Sequence, residues 1–196
     1  PGPTPSECSH PVCPCKYLLY NDPLEGLMDR HVGPEAPEHY RRSAERLLAH
    51  ADTERWGYIF ESLGLLCDLL SDKCDLTIRI RRAYLDGDRN AVRRLAHEDI
   101  PAVIAKLDAF IVAFRRQWYA ENKTFGFATE EQRLGGLRQR LDSVKLRLEA
   151  WLSGETDRIE ELEQPVLSHD GRAADDPRTP YINYNSWAGT VTACLI

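Results

Sequence analysis

The sequence lacks an initiating methionine and any apolar run long enough to span a membrane. Its single methionine is Met28, and the chain begins at Pro1. No basic segment followed by an apolar stretch, the pattern of a secretory signal, lies near the start. No apolar run approaches the roughly 20 residues that a transmembrane helix needs. We therefore expect a chain that was processed or cut from a longer protein, with no membrane partner.

An excess of positive charge is also absent. The chain has 25 Lys and Arg against 31 Asp and Glu, a net charge of -6, and 42% of its 196 residues are apolar. Nucleic-acid binding depends on cations that neutralise phosphates, so this balance excludes a typical nucleic-acid partner. The length and the apolar fraction are those of a globular protein with one hydrophobic core.

The six cysteines do not form the pattern of a disulfide framework. Cys67 and Cys74 are seven residues apart, so on one helix they lie about 10.5 Å apart along the axis. A disulfide tolerates a Cα separation of only about 7 Å. We interpret both as small buried apolar side chains, which indicates a reducing cytoplasm.

Four soft metal ligands stand close together near the start: Cys8, His10, Cys13 and Cys15. Thiolates and imidazole suit zinc, but zinc sites usually take ligand pairs from two separate turns. We therefore treat this set as a weak zinc candidate, and favour an arm that is disordered or docks on another surface. No cofactor and no other metal site is predicted. The remaining histidines show no paired spacing on an apolar face: His31, His39, His50, His97 and His169.

Proline, glycine and apolar residues divide the chain into four segments. Residues 1–16 are a proline-rich arm, and residues 17–34 are an apolar connector interrupted by Asn21-Asp22-Pro23, Gly26 and Gly33-Pro34. Residues 35–165 carry the helical pattern, and residues 166–196 are a polar linker followed by an extended, aromatic C-terminal tail.

Apolar residues spaced by three or four predict an antiparallel bundle of long helices, an all-α fold with an extended N-terminal arm and C-terminal tail. We expect helices at about 36–51, 53–86, 89–97, 100–121, from 129 to a C-cap at Gly154, and at 157–163. Asp52 or Thr53 would cap the second, Pro101 would begin the fourth, and Thr129 with Gln132 would form a capping box. The expected core includes Leu63, Leu66, Phe110, Phe114, Leu137 and Leu141.

Some polar and aromatic residues could serve either a site or the fold. Trp118, Lys123, Phe125 and Phe127 surround a loop, where they could stack on a sugar or anchor the loop; we favour anchoring. The same alternatives apply to Tyr181, Tyr184 and Trp187. Glu160, Glu161 and Glu163 are interpreted as a solvated helix face, and Arg133 as a partner in an exposed ion pair.

Three ordered blocks resemble one family. KYLLYNDPLEGLMD at 16–29, RRQWYAENKTFGFATEEQRLGGLRQRL at 115–141 and YNSWAGTVTACLI at 184–196 are similar to the C-terminal helical domain of a bacterial branch of the family 20 β-N-acetylhexosaminidases. The first block looks like the segment that leaves the catalytic barrel. The resemblance covers nearly all of the chain after Lys16, and the cysteine-containing arm lies outside it.

The resemblance implies a parent glycosidase with a (β/α)8 barrel that removes terminal β-linked N-acetylhexosamines with retention. The acetamido oxygen of the substrate attacks the anomeric carbon, assisted by an adjacent Asp-Glu pair in which the aspartate orients the acetamido group and the glutamate protonates the leaving oxygen. This chain contains no Asp-Glu dipeptide and no barrel pattern. It therefore resembles a non-catalytic domain, without catalytic or substrate-binding residues of its own, from an enzyme of the bacterial cytoplasm.

The expected partner is the catalytic barrel of the same chain, with a homodimer as a further possibility. Barrel contacts are expected at Tyr17, Tyr20, Leu24, Tyr184 and Trp187, with the connector and the tail side by side on one docking face. The alternative is a free-standing helical interaction domain. A carbohydrate-binding module is weaker still, because such modules are mostly β-sandwiches.

Overall fold

The computed structural model describes residues 18–26, 28–29 and 32–165, which form helices and turns without any strand. The helices are α1 (Ala36–Leu48), α2 (Gly57–Lys73), α3 (Leu76–Leu85), α4 (Arg89–Arg94), a π-helical turn (Leu95–Asp99), α5 (Ile100–Glu121), α6 (Phe127–Ser153) and α7 (Glu160–Glu163). The predicted all-α fold is confirmed. Within these residues, no helix combines the length and the apolar character needed to cross a membrane.

Ion pairs show that the long helices run antiparallel. On the α5–α6 pair, Arg115 contacts Glu131 at 2.9 Å, and Asp108, seven residues earlier, contacts Arg138, seven residues later, at 2.9 Å. On the α2–α5 pair, Glu61 meets Arg116 and Asp68 meets Lys106 in the same opposed order. These pairs are partly exposed, so they define the register and contribute little stability.

The core follows most of the predicted apolar positions. Phe110, Leu137 and Leu141 are buried, and Leu66 and Phe114 pack partly buried against them. The prediction for Leu63 is wrong, because its side chain is 44% exposed. Leu63 lies two turns from the fully buried Leu70 on the same helix face, so only one end of that face is covered.

The single helix predicted at 53–86 is wrong, because it is interrupted after Lys73. The guanidinium of Arg79 donates to the Asp72 carbonyl at 2.8 Å, a group that in an unbroken helix would accept from the amide of residue 76. Arg79 also pairs with Asp75 at the start of α3. The chain therefore begins a second helix, α3, at Leu76.

The predicted caps before α2 are also wrong, since α2 begins at Gly57 and no side chain caps it. The carbonyl of Thr53 accepts from the Gly57 amide at 2.9 Å within a turn. A Cβ built on Gly57 would lie 2.1 Å from the Ala51 carbonyl oxygen. The α1–α2 turn thus requires glycine at position 57, because a side chain there would clash with the Ala51 carbonyl. The helix α2 begins at this glycine.

The helix predicted at 100–121 is confirmed as α5, with Pro101 in its first turn. The break expected before Pro101 is wrong, because Ile100 already has helical backbone angles of -62° and -46°. The preceding π-helical turn joins α4 to α5 without a break. A proline lacks an amide proton, and its ring clashes with the carbonyl four residues earlier in an α-helix. The wider π-helical turn accommodates both effects.

The sequence prediction for α6 is correct at its end and wrong at its start. Gly154 has a φ of +80° and its amide donates to the carbonyls of Ala150 and Trp151, so it is the predicted C-cap. The helix begins at Phe127, after Gly126 at a φ of +99°, and no side chain caps it. The capping box of Thr129 and Gln132 is therefore wrong, because Thr129 already lies within the first turn.

Candidate functional site

The connector is part of the hydrophobic core of the bundle. Its side chains are at most 7% exposed at Leu18, Leu19, Tyr20, Leu24 and Met28. All five belong to the same cluster as the buried residues of α2, α3, α5 and α6. The side chains of Tyr20 and Leu24, which we expected to contact the barrel, thus lie in the core of this domain.

Asp22 joins the connector to the middle of α6. Its carboxylate accepts from Nε and Nη2 of Arg140 at 2.7 and 3.1 Å, and from the amides of Leu24 and Glu25. Burial alone would raise the pKa of Asp22, but the Arg140 guanidinium and the two amides outweigh burial and lower it. The bidentate geometry holds the connector turn in one orientation on α6.

Lys73, at the end of α2, is a buried cation that holds the connector backbone. Its side chain is 3% exposed, and its Nζ donates to the carbonyls of Leu18 at 3.1 Å and Asn21 at 2.9 Å. Burial lowers its pKa to about 8, against the opposing attraction of Asp22 and Asp29. Lys73 thus satisfies two connector carbonyls that would otherwise be buried without partners.

Asn21 and Asp29 close the connector on itself. The side-chain amide of Asn21 donates from Nδ2 to Asp29 Oδ1 at 2.9 Å. The Oδ1 atom of Asn21 accepts from the backbone amide of Met28 at 3.1 Å. A Cβ on Gly26, whose φ is +67°, would lie 2.3 Å from Asp29 Oδ2. Burial raises the pKa of Asp29 to about 6. Only glycine at position 26 leaves room for this carboxyl group.

Arg81 on α3 binds two separate passages of the chain. Its guanidinium donates to Leu24 O at 2.8 Å in the connector and to Leu162 O at 2.7 Å in α7. Further donations reach the carbonyls of Glu25, Glu161 and Gln164. Two carbonyls that share one guanidinium must lie close together. The chain therefore enters the bundle beside the place where it leaves α7.

The predicted aromatic cluster anchors the α5–α6 turn, with one exception. The Trp118 indole donates to the Lys123 carbonyl at 3.0 Å and packs 5.6 Å from the ring of Phe127. Phe127 is 1% exposed, whereas Phe125 is 87% exposed. Trp118 and Phe127 therefore anchor the turn, whereas the side chain of Phe125 is exposed to solvent.

The predicted acidic face is engaged in ion pairs. Arg147 contacts Glu161 at 2.8 Å and Glu160 at 3.6 Å, and Tyr84 donates to Glu163 at 2.7 Å. Arg133 forms the predicted ion pair, with Glu130 at 2.9 Å within α6, but the pair is partly buried, because the two side chains are only 27% and 25% exposed. The contacts of Glu161 and Glu163 are structural, since they join α7 to α6 and α3.

No group of three metal-ligating side chains occurs among the residues that the structure describes. The zinc candidate of Cys8, His10, Cys13 and Cys15 lies outside them. So do the arm, the tail with Tyr184 and Trp187, and Tyr17. Cys74 is 1% exposed, as predicted, and burial raises the pKa of its thiol to about 11, whereas Cys67 is only partly buried.

Sequence reasoning missed the cations that hold the connector: Lys73, Arg81 and Arg140. The sequence around Lys73 gave no signal, since Lys73 stands between Asp72 and Asp75 within the helix predicted at 53–86. The side chains that meet at the connector are spread over more than 100 residues, and periodicity does not report which of them converge. The arrangement fixes a chain segment in place, and it has the hydrogen-bonding pattern of a structural junction.

A family model described as the Glycoside Hydrolase 20C C-terminal domain matches residues 2–180. No curated protein matches the chain.

Proposed function

Because the chain belongs to the Glycoside Hydrolase 20C C-terminal domain family, we propose that it is the non-catalytic C-terminal domain of a β-N-acetylhexosaminidase. The parent enzyme would remove terminal β-linked N-acetylhexosamines by the substrate-assisted retaining route. The barrel would lie in the same polypeptide, before the connector, in a bacterial cytoplasm. A homodimer of the parent remains part of this proposal.

The connector junction is the observation that supports an accessory role most directly. Three cations from α2, α3 and α6 bind one short segment whose apolar side chains form part of the core. A domain held only by a flexible linker needs no such contacts. We infer that the bundle binds the chain where it leaves the barrel and so keeps the two domains in a fixed relation, stabilising the barrel.

The absence of the catalytic pair from the sequence supports a role without catalysis. No aspartate is followed by glutamate anywhere in the 196 residues. We expect the isolated chain to release no chromophore from an aryl N-acetylglucosaminide above the buffer rate. Turnover by the purified chain would contradict the proposal.

The test of the stabilising role uses two arginines on the same helix of the full-length enzyme. Arg140→Met removes the bidentate contact to Asp22, whereas Arg138→Met removes only exposed pairs with Asp108 and Asp142. We expect Arg140→Met to lower the free energy of unfolding by about 1–3 kcal/mol, because Asp22 loses its partner. The Arg138→Met control should change it by about 0.5 kcal/mol or less.

Kinetic measurements distinguish a stabilising role of the domain from direct contact with substrate in the active site. At temperatures well below melting, Arg140→Met should leave KM and kcat for the aryl glycoside unchanged, because the domain acts through stability. A raised KM with an unchanged melting temperature would instead indicate contact with substrate. Equal effects of the two substitutions on melting would contradict the importance of the junction.

A further inference from the structure

The apolar face of α2 is covered at the C-terminal end of the helix and open nearer its start. Leu70 and Cys74 are 0% and 1% exposed and belong to the core. On the same face Leu63 is 44% exposed, and Ile59 and Leu66 are half-buried. We call Ile59, Leu63 and Leu66 the α2 patch. The face is therefore apolar well beyond the part that the core covers.

The described part of the connector begins beside the α2 patch. The carbonyl of Leu18, its first described residue, accepts from Lys73 Nζ at 3.1 Å. Leu66 and Ile59 lie seven and fourteen residues before Lys73, which places them within about 20° and 40° of it around the helix axis. The side chain that holds Leu18 thus shares a helix face with two residues of the patch.

The hydrogen bonds of the connector give the direction of the chain before Leu18. Successive carbonyls of the connector are bound by side chains that follow one another in α2 and α3: Leu18 by Lys73, Asp22 by Thr77 and Leu24 by Arg81. Going back along the connector therefore means going back along α3 and then α2. The same order, continued past Leu18, leads to the residues of α2 that precede Lys73.

The length of the arm next to Leu18 matches the length of the α2 patch. Along the helix axis, the patch extends from about 10.5 Å to about 21 Å before Lys73. Residues 12–16 lie two to six positions before Leu18, and an extended chain advances about 3.3 Å per position, so they reach from about 7 Å to about 20 Å. Pro11 and Pro14 favour an extended backbone in this segment.

We propose that residues 12–16 of this chain dock on the α2 patch as an extended segment. Four of the five residues, VCPC, carry no charge and suit an apolar surface, and only Lys16 is charged. The family match begins at residue 2, so the segment belongs to the domain whose core it would extend. The docked arm would continue the junction along α2 from Lys73 toward the α1–α2 turn. The inference is independent of the activity of the parent enzyme.

The test uses the two cysteines of the segment as native probes in the full-length enzyme. Leu63→Cys places a thiol in the patch, and Ile78→Cys places one on α3 at a similar exposure, 37% against 44%. Ile78 is five residues from Lys73 and Leu63 is ten, so an arm without a docking site would reach position 78 at least as easily. After oxidation with diamide, non-reducing peptide mass spectrometry measures disulfides to Cys13 or Cys15.

The disulfide to the segment should form at least about tenfold faster in Leu63→Cys than in Ile78→Cys, because docking holds the thiols within the Cα separation of about 7 Å that a disulfide tolerates. A melting temperature close to that of the parent confirms that each variant is folded. Equal rates in the two variants overturn the inference, as does the absence of a disulfide between position 63 and the segment.

Labelling with N-ethylmaleimide shows whether anything else covers the patch. In Leu63→Cys, replacing Val12, Cys13 and Cys15 by serine should accelerate labelling at position 63 about tenfold, because the patch loses its apolar cover. An unchanged rate overturns the inference, whether labelling is slow because another domain covers the patch or fast because nothing does. Slow labelling that becomes fast on dilution indicates a second copy and also overturns it.

The proposed function is tested by a different measurement. It fails if Arg140→Met and Arg138→Met have the same effect on melting, which leaves the disulfide rates at positions 63 and 78 unaffected. The two failures are therefore distinguishable.

Discussion

The connector and the α5–α6 turn are both short and irregular, but they are fixed by different forces. The connector is held by Lys73, Arg81 and Arg140, and its apolar side chains are buried. The turn at 122–126 is held by the rings of Trp118 and Phe127, and it leaves Phe125 in solvent. The contacts of Arg140 and Phe127 are thirteen residues apart on α6, about 20 Å along the axis.

The difference follows from what each segment has to satisfy. The connector passes through the interior, so its carbonyls need donors, and Lys73 and Arg81 supply them from two helices. Arg140, from a third helix, binds the Asp22 carboxylate. The turn runs over the surface, where water satisfies its backbone, so ring packing alone is enough to hold it. A buried junction with charged donors indicates a segment whose exact position matters to the rest of the protein.

The largest effect is expected at the aromatic anchor. Phe127→Ala should lower the free energy of unfolding by about 3–5 kcal/mol, because it leaves a cavity among Phe114, Trp118 and Tyr119. The neighbouring Phe125→Ala, in the exposed part of the same turn, should change it by about 0.5 kcal/mol or less. Denaturant unfolding measures both. Similar losses for the two would show that the turn is not held by Phe127.

A slightly smaller loss is expected in the connector. Leu24 has no exposed surface, so Leu24→Ala should cost about 2–5 kcal/mol of unfolding free energy. Leu146→Ala is the matched control, since Leu146 is 61% exposed on α6 and should change stability by about 0.5 kcal/mol or less. A loss below about 1 kcal/mol for Leu24→Ala would mean that the connector is not part of the core.

The smallest effect concerns pH and is specific to the connector. The pKa of Asp29 is raised by burial from 3.8 to about 6, so the folded state holds a proton that the unfolded state has released. Its contribution to stability is present below about pH 4 and is lost as pH rises to about 6, on the order of 1–3 kcal/mol. Asp29→Asn cannot titrate and should remove this fall.

The measurement is the unfolding free energy from pH 4 to pH 7 for the parent, Asp29→Asn and the exposed control Asp142→Asn. The control should keep the fall, because Asp29 is intact. Equal slopes for the parent and Asp29→Asn would contradict the burial of an ionised carboxylate at this position. The effect should have no counterpart in the α5–α6 turn, where rings rather than charges make the contacts.

The apolar pattern predicted most helices, and the errors have local causes. Leu137 and Leu141 were placed correctly in the core because side chains three and four residues apart on a helix share one face. The break after Lys73 was missed because it depends on Arg79 reaching the carbonyl of Asp72. That contact leaves no trace in hydrophobic periodicity.

By itself, the sequence determined the class of the fold, the antiparallel helices, the C-cap at Gly154 and the absence of an Asp-Glu pair. These properties depend on residues close together in the chain, or on composition. Only the tertiary structure decided that Lys73, Arg81 and Arg140 meet at the connector, that Leu63 stays exposed while Leu70 is buried, and that α3 receives both passages of the chain. Those outcomes depend on which surfaces of distant segments pack together. Helical periodicity indicates the face of the helix on which a side chain lies, but it does not identify the segment that packs against that face.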